Sequence, residues 1–206
     1  MSMFYDAFIK LDRLQAAKMT ELVNPRLDVK FDPDTATLMI HNLSFYEGYF
    51  ILELTDHTQH PPIVRVVVCN DQGDVTPLDW TNKPIFDLNK SVPINLKDDR
   101  LLDYVRFFFH YVRGKHGRFI IIDSVDDIDW REEPAPAGRK ALGKMIEPLH
   151  IKEKQEDGTI VMACSIIFKD SLFSGDAHIK PDGHIILQNE ELLVEDIPVA
   201  DDVFGL

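Results

Sequence analysis

The stretch that most limits what this chain folds into is residues 98–123, DDRLLDYVRFFFHYVRGKHGRFIIID. Leu101, Leu102, Tyr104, Val105, Phe107, Phe108, Phe109, Tyr111 and Val112 leave little room for polar residues. Beyond Arg100 in the first turn, Asp99, Asp103, Arg106, His110 and Arg113 are spaced by 4, 3, 4 and 3, which gathers them on one narrow stripe of a 3.6-period helix. A helix with so little polar surface must be buried on most sides. At about 15 residues it is too short for a bilayer, which takes about 20. The expectation is a core helix packed on a sheet.

The helix has marked ends. Asp98 suits the N-cap and Asp99 the positive end of the dipole, while Gly114 suits the stop, with Arg113, Lys115 and His116 beside the negative end. Residues 113–118 have the glycines and cations of a phosphate-binding loop. Such loops lead into a helix, whereas this one leaves a helix and enters the apolar run Phe119, Ile120, Ile121, Ile122, so the composition reads as a helix stop before a strand.

The net charge of −13 is unevenly spread. Residues 123–133 hold Asp123, Asp126, Asp127, Asp129, Glu132 and Glu133 against Arg131, and residues 190–202 hold six carboxylates and no cation. The rest of the chain is nearly neutral. Two acidic patches on such a body argue against nucleic-acid binding, which needs a basic footprint. Cys69 and Cys164 sit in apolar runs without metal-type spacing and read as reduced core thiols. The first residues lack the pattern of a secretory signal and no run reaches spanning length, so the expected setting is the cytoplasm, away from membranes.

Read in order, the residues after Ser2 predict a helix capped by Ser2 and ended by Asn24-Pro25, with Phe4, Ala7, Phe8, Leu11 and Leu14 on one face. Leu27 to Phe31 and Ala36 to His41 read as a hairpin across Asp32-Pro33-Asp34-Thr35. Strands follow at Tyr49 to Leu54 and Ile63 to Cys69, apolar on both parities and so covered on both faces. Pro84-Ile85-Phe86 and Val92-Pro93-Ile94 suit edge strands, and residues 134–145 a short helix with Ala141, Leu142 and Met145 inward. Beyond Pro148 the texture changes to an antiparallel meander with turns at Glu156-Asp157-Gly158 and Pro181-Asp182-Gly183. The expected class is α+β: a mixed sheet with a buried central helix, then a C-terminal antiparallel meander. The organisation is an N-terminal mixed region over 1–133, a helical bridge over 134–147, and the meander with its acidic tail over 148–206.

Three function classes fit. The leading one is a non-enzymatic interaction or adaptor protein that binds a protein partner through acidic surfaces, with self-association open to it. Apolar Ile197, Val203 and Phe204 in the acidic tail are its docking candidates. The second is a metal-dependent hydrolase built on the carboxylates of 123–133, or on His110 and His116 as acid and base. The third is a small-molecule module beside the Phe-rich helix, with Arg106, His110 and Arg113 receiving an anion. No nucleophile elbow, phosphate loop, dinucleotide fingerprint or zinc-helix motif is present, no cofactor is specified, and no metal site is read from the histidines.

Overall fold

Extended apolar runs between Ala36 and Leu78 build the first sheet of the computed structural model, which describes residues 8–97 and 99–200. The chain divides into two compact units, one running to Asn95 and one beginning at Leu96. That division falls before the central helix, well ahead of the change of texture at Pro148.

In the N-terminal unit β1 (Ile9–Lys10) is followed by α1 (Arg13–Val23), β2 (Ala36–Asn42), β3 (Tyr49–Asp56), β4 (Ile63–Asn70), β5 (Val75–Leu78) and α2 (Lys83–Ser91). The five strands lie in sequence order, each antiparallel to the next. Leu38, Phe50, Leu52, Leu54, Val67 and Cys69 on one face pack with Ala16, Met19 and Val23 of α1. Ile51, Val66 and Val68 on the other face are buried as well.

The start of the chain departs from expectation. Ile9 and Lys10 pair with Ile40 and Met39 as a strand. The helix begins only after Asp12, which accepts from the Gln15 N–H while the Gln15 side chain accepts from the Asp12 N–H. This reciprocal cap, worth about 1 kcal/mol, sets the start. Leu14 is then 82% exposed instead of inward. Ser2, Phe4 and Ala7 lie outside the described residues, as does the Asp98 cap.

Two further expectations change for local reasons. No strand forms over 27–31, because the Asn24 side chain bonds both the N–H and the carbonyl of Phe31 at 2.9 Å and closes a loop. Pro84 enters the first turn of α2 instead of an edge strand, since the missing N–H costs nothing there.

The C-terminal unit opens with α3 (Asp99–Tyr111) and continues through β6 (Arg113–Gly114), β7 (Gly117–Ile122), α4 (Pro136–Gly143), β8 (His150–Lys154), β9 (Ile160–Phe168), β10 (Ser171–Ile179) and β11 (Ile185–Val194). Leu101, Tyr104, Val105, Phe107, Phe108, Phe109 and Tyr111 of α3 are buried, so the apolar girth is used as a core. The sheet order is β11-β10-β9-β7-β6, with β8 also on β9. The pairings of the named strands in both sheets are antiparallel, giving the α+β class with a buried helix and a terminal meander. The Tyr104 hydroxyl donates to the Gly183 carbonyl at 2.6 Å and ties α3 to the β10–β11 turn. In α4 the inner residue is Leu142, whereas Ala141 and Met145 are exposed. No helix among the described residues is long and apolar enough to cross a membrane.

Candidate functional site

Of the stripe on α3, Arg106 is taken out of the expected anion trio. It is 8% exposed, and its Nη2 donates to Asp123 at the end of β7. The other Asp123 oxygen accepts from the Leu149 N–H at 2.8 Å. One carboxylate thus joins α3, β7 and the entry to β8. A guanidinium this deep needs such a partner, because losing the partner leaves a buried charge.

The rest of the 123–133 stretch is ordered around that pair, not the solvated link its composition suggests. Asp127 accepts from the N–H groups of Asp123 and Ser124 at 3.0 and 2.9 Å, and Ser124 caps the same 3-10 turn. Arg139 of α4 pairs with Asp126, and with Glu133 at 2.7 Å. Asp123, Asp126, Asp127 and Glu133 are therefore engaged within the fold. Among the described residues no group of three or more His, Cys, Asp or Glu side chains is placed to hold a metal ion.

His110 and Arg113 do stay together, and the structure adds Arg118. Arg113 lies directly opposite Arg118 in the short β6–β7 hairpin. Arg118 Nη1 approaches His110 Nδ1 to 3.5 Å. Burial, with the charges of Arg118 and Arg113 beside it, pushes the imidazole down to about 3, so His110 is neutral near pH 7. The signal for Arg118 lay in the sequence: a tight turn over Lys115 and His116 makes residues 113 and 118 cross-strand partners.

The tail splits in two. Ile197, expected to dock into a partner, is 4% exposed and packs with Ile122, Ile128, Ile167 and Leu172 of its own unit. Its N–H donates to the Asp170 carbonyl at 2.8 Å, and Val199 bridges to Trp130. Val203 and Phe204 lie outside the described residues. Leu192, Leu193 and Val194 complete β11, the end strand of the sheet. Its Gln188 to Leu192 are exposed in succession, and Glu190, Glu191 and Glu195 have no cation within ion-pair reach among the described residues.

Asp176 went unread in the sequence. It is 7% exposed on β10, held by Lys152 Nζ at 3.0 Å to both oxygens and by Asn189 Nδ2 at 2.9 Å. Burial opposes its charge, and the bonds from Asn189 and Lys152 outweigh that, leaving the carboxyl below its usual range. Asn189 has φ of 56° where the β10–β11 register shifts, so its bond to Asp176 holds a bulge in β11. A lone acid between Gly175 and Ala177 in an apolar strand was the available sign.

Comparison with protein-family models, with curated proteins and with solved structures finds no match.

Proposed function

We propose that this chain is an interaction protein that binds a basic protein partner through the glutamates of β11 and the turn after it. The observation that carries the reading is the contrast in neutralisation. The carboxylates of 123–133 are largely tied to Arg106, Arg139 and backbone N–H groups, while Glu190, Glu191 and Glu195 stand exposed with no cation in ion-pair reach among the described residues. Rim charges of this kind steer association and select partners by sign. Exposed Leu192 beside them, 44% accessible, offers apolar contact. The engagement of the 123–133 carboxylates weighs against the hydrolase alternative. The reading places the protein in a reducing cytoplasm, in keeping with Cys69 and Cys164, both free and buried, with thiols that burial pushes up to about 12.

The test uses polylysine as the probe. Glu190→Gln/Glu191→Gln/Glu195→Gln is compared with Asp71→Asn/Glu132→Gln/Glu156→Gln, which removes equal charge elsewhere. The β11 triple is expected to weaken binding about tenfold and the control triple hardly at all. Equal weakening by both means that only net charge was read, and the proposal fails.

A further inference from the structure

Two β-bulges in the C-terminal sheet converge on one carboxylate. In β8 the register steps from Ile151 opposite Met162 to Glu153 opposite Val161, so Lys152 is the extra residue. In β11 it steps from Gln188 opposite Asp176 to Glu191 opposite Ser174, so Asn189 and Glu190 together face the single Gly175. Asp176 of β10 receives a side chain from each bulge. Lys152 Nζ lies 3.0 Å from both carboxylate oxygens, and Asn189 Nδ2 donates to Oδ2 at 2.9 Å. Lys152 reaches Asp176 across β9, where the register partner of both His150 and Asp176 is Ala163, a side chain small enough to pass over. A bulge re-aims a side chain, and here two of them aim at one buried acid and link β8 to β11.

Taking Glu190 and Glu191 as the partner-binding groups proposed above, we infer that Lys152, acting through Asp176 and Asn189, is the positioning residue of that acidic surface. Glu190 shares the bulge with Asn189, and Glu191 is the first residue back in register. The backbone of Asn189 therefore sets where both glutamates stand. Its φ of 56° is costly for a residue with a Cβ, and the amide bond to Asp176 offsets that cost. Asp176 in turn keeps its charge in a buried place because a cation lies beside it, and Lys152 supplies that cation. The Lys152 side chain is 57% exposed, on a strand exposed along its whole length. A solvent-facing cation on one flank of the sheet thus holds the geometry of glutamates on the other.

The experiment pairs amide hydrogen exchange over Gln188 to Leu192 with polylysine binding, both on the full chain. Lys152→Met removes a cation, so charge alone predicts tighter binding of a polycation. The positioning role predicts the reverse. Binding should be about fivefold weaker and exchange at Asn189 to Glu191 about tenfold faster, and Lys152→Arg should restore most of both. Asn189→Gly repeats the test without leaving a buried charge bare, and it decides the matter where Lys152→Met does not fold. Glycine accepts the positive φ, so the tether to Asp176 is lost while the melting midpoint stays nearly unchanged, and binding should fall about threefold. Exchange is read with no partner present, so a clamp that fails there is distinguishable from an acidic surface that polylysine does not read. Exchange in both variants equal to that of the native chain, or binding that is unchanged or tighter in the variants that fold, overturns the positioning role.

Discussion

Residues 123–133 and residues 190–200 enter the fold with similar acidity and leave it in different states. In the first, Asp123 reaches a buried arginine and a backbone N–H, Asp127 closes a 3-10 turn, and Asp126 and Glu133 share Arg139. In the second, Glu190, Glu191 and Glu195 face water, and what turns inward is apolar: Ile197, with Leu193, Val194 and Val199 packed partly buried against the same cluster. The lesson is that charge count does not say what an acidic stretch does. What decides is whether the chain brings cations to it. Arg106 and Arg139 come from helices on either side of the first stretch, and among the described residues no cation pairs with Glu190, Glu191 or Glu195.

The strongest test of this contrast is Asp123→Ala, which leaves Arg106 buried without its partner and the Leu149 N–H without its acceptor. It should lower the stability of the C-terminal unit by roughly 3–5 kcal/mol in urea denaturation. A small loss would mean that the first stretch is as peripheral as the second.

Ile197→Ala comes next, at about 2–4 kcal/mol, because it empties a place in the cluster with Ile122 and Ile167. An unchanged midpoint would return Ile197 to the docking role that its sequence context suggested.

A third test concerns acid. His110 titrates near 6.5 in the unfolded chain and near 3 in the fold, so between these values the unfolded state binds the extra proton. Stability is therefore full above pH 6.5 and falls as pH drops toward 3, by roughly 1.4 kcal/mol per unit. Melting followed from pH 7 to 4.5 should show that decline in the native chain and lose most of it in His110→Gln. Equal slopes would place His110 in contact with water.

The smallest effect belongs to the second acidic stretch. Glu190→Gln/Glu191→Gln should leave the melting midpoint where it is, since neither residue has a cation to lose among the described residues. A marked shift would mean that these glutamates support the fold, and the comparison would collapse.

Much of the architecture was legible beforehand because it rests on local signals. The narrow polar stripe gave α3, and Gly158 and Gly183, with φ of 85° and 80°, mark the two meander turns read from Asp-Gly pairs. Mistakes came where one side chain outweighed the pattern, as with Asn24 closing 24–31 and Asp12 delaying α1. The site was only half readable. His110 and Arg113 are neighbours in a helical period, but Arg106 with Asp123 and Asp176 with Lys152 are pairings between elements. No periodicity along the chain encodes those.

The return of residues 197–200 to the body has a consequence for the order in which the protein is made. Ile197 completes a cluster begun at Ile122, and Ala200 donates to the Asp129 carbonyl at 2.8 Å. The C-terminal unit therefore cannot close its core until residue 200 has cleared the ribosome. The N-terminal unit, whose strands pair only with sequence neighbours, has no such delay. During synthesis the apolar surface of β7, β9 and β10 must wait for a short acidic segment, and a truncation before Ile197 would prolong that wait indefinitely.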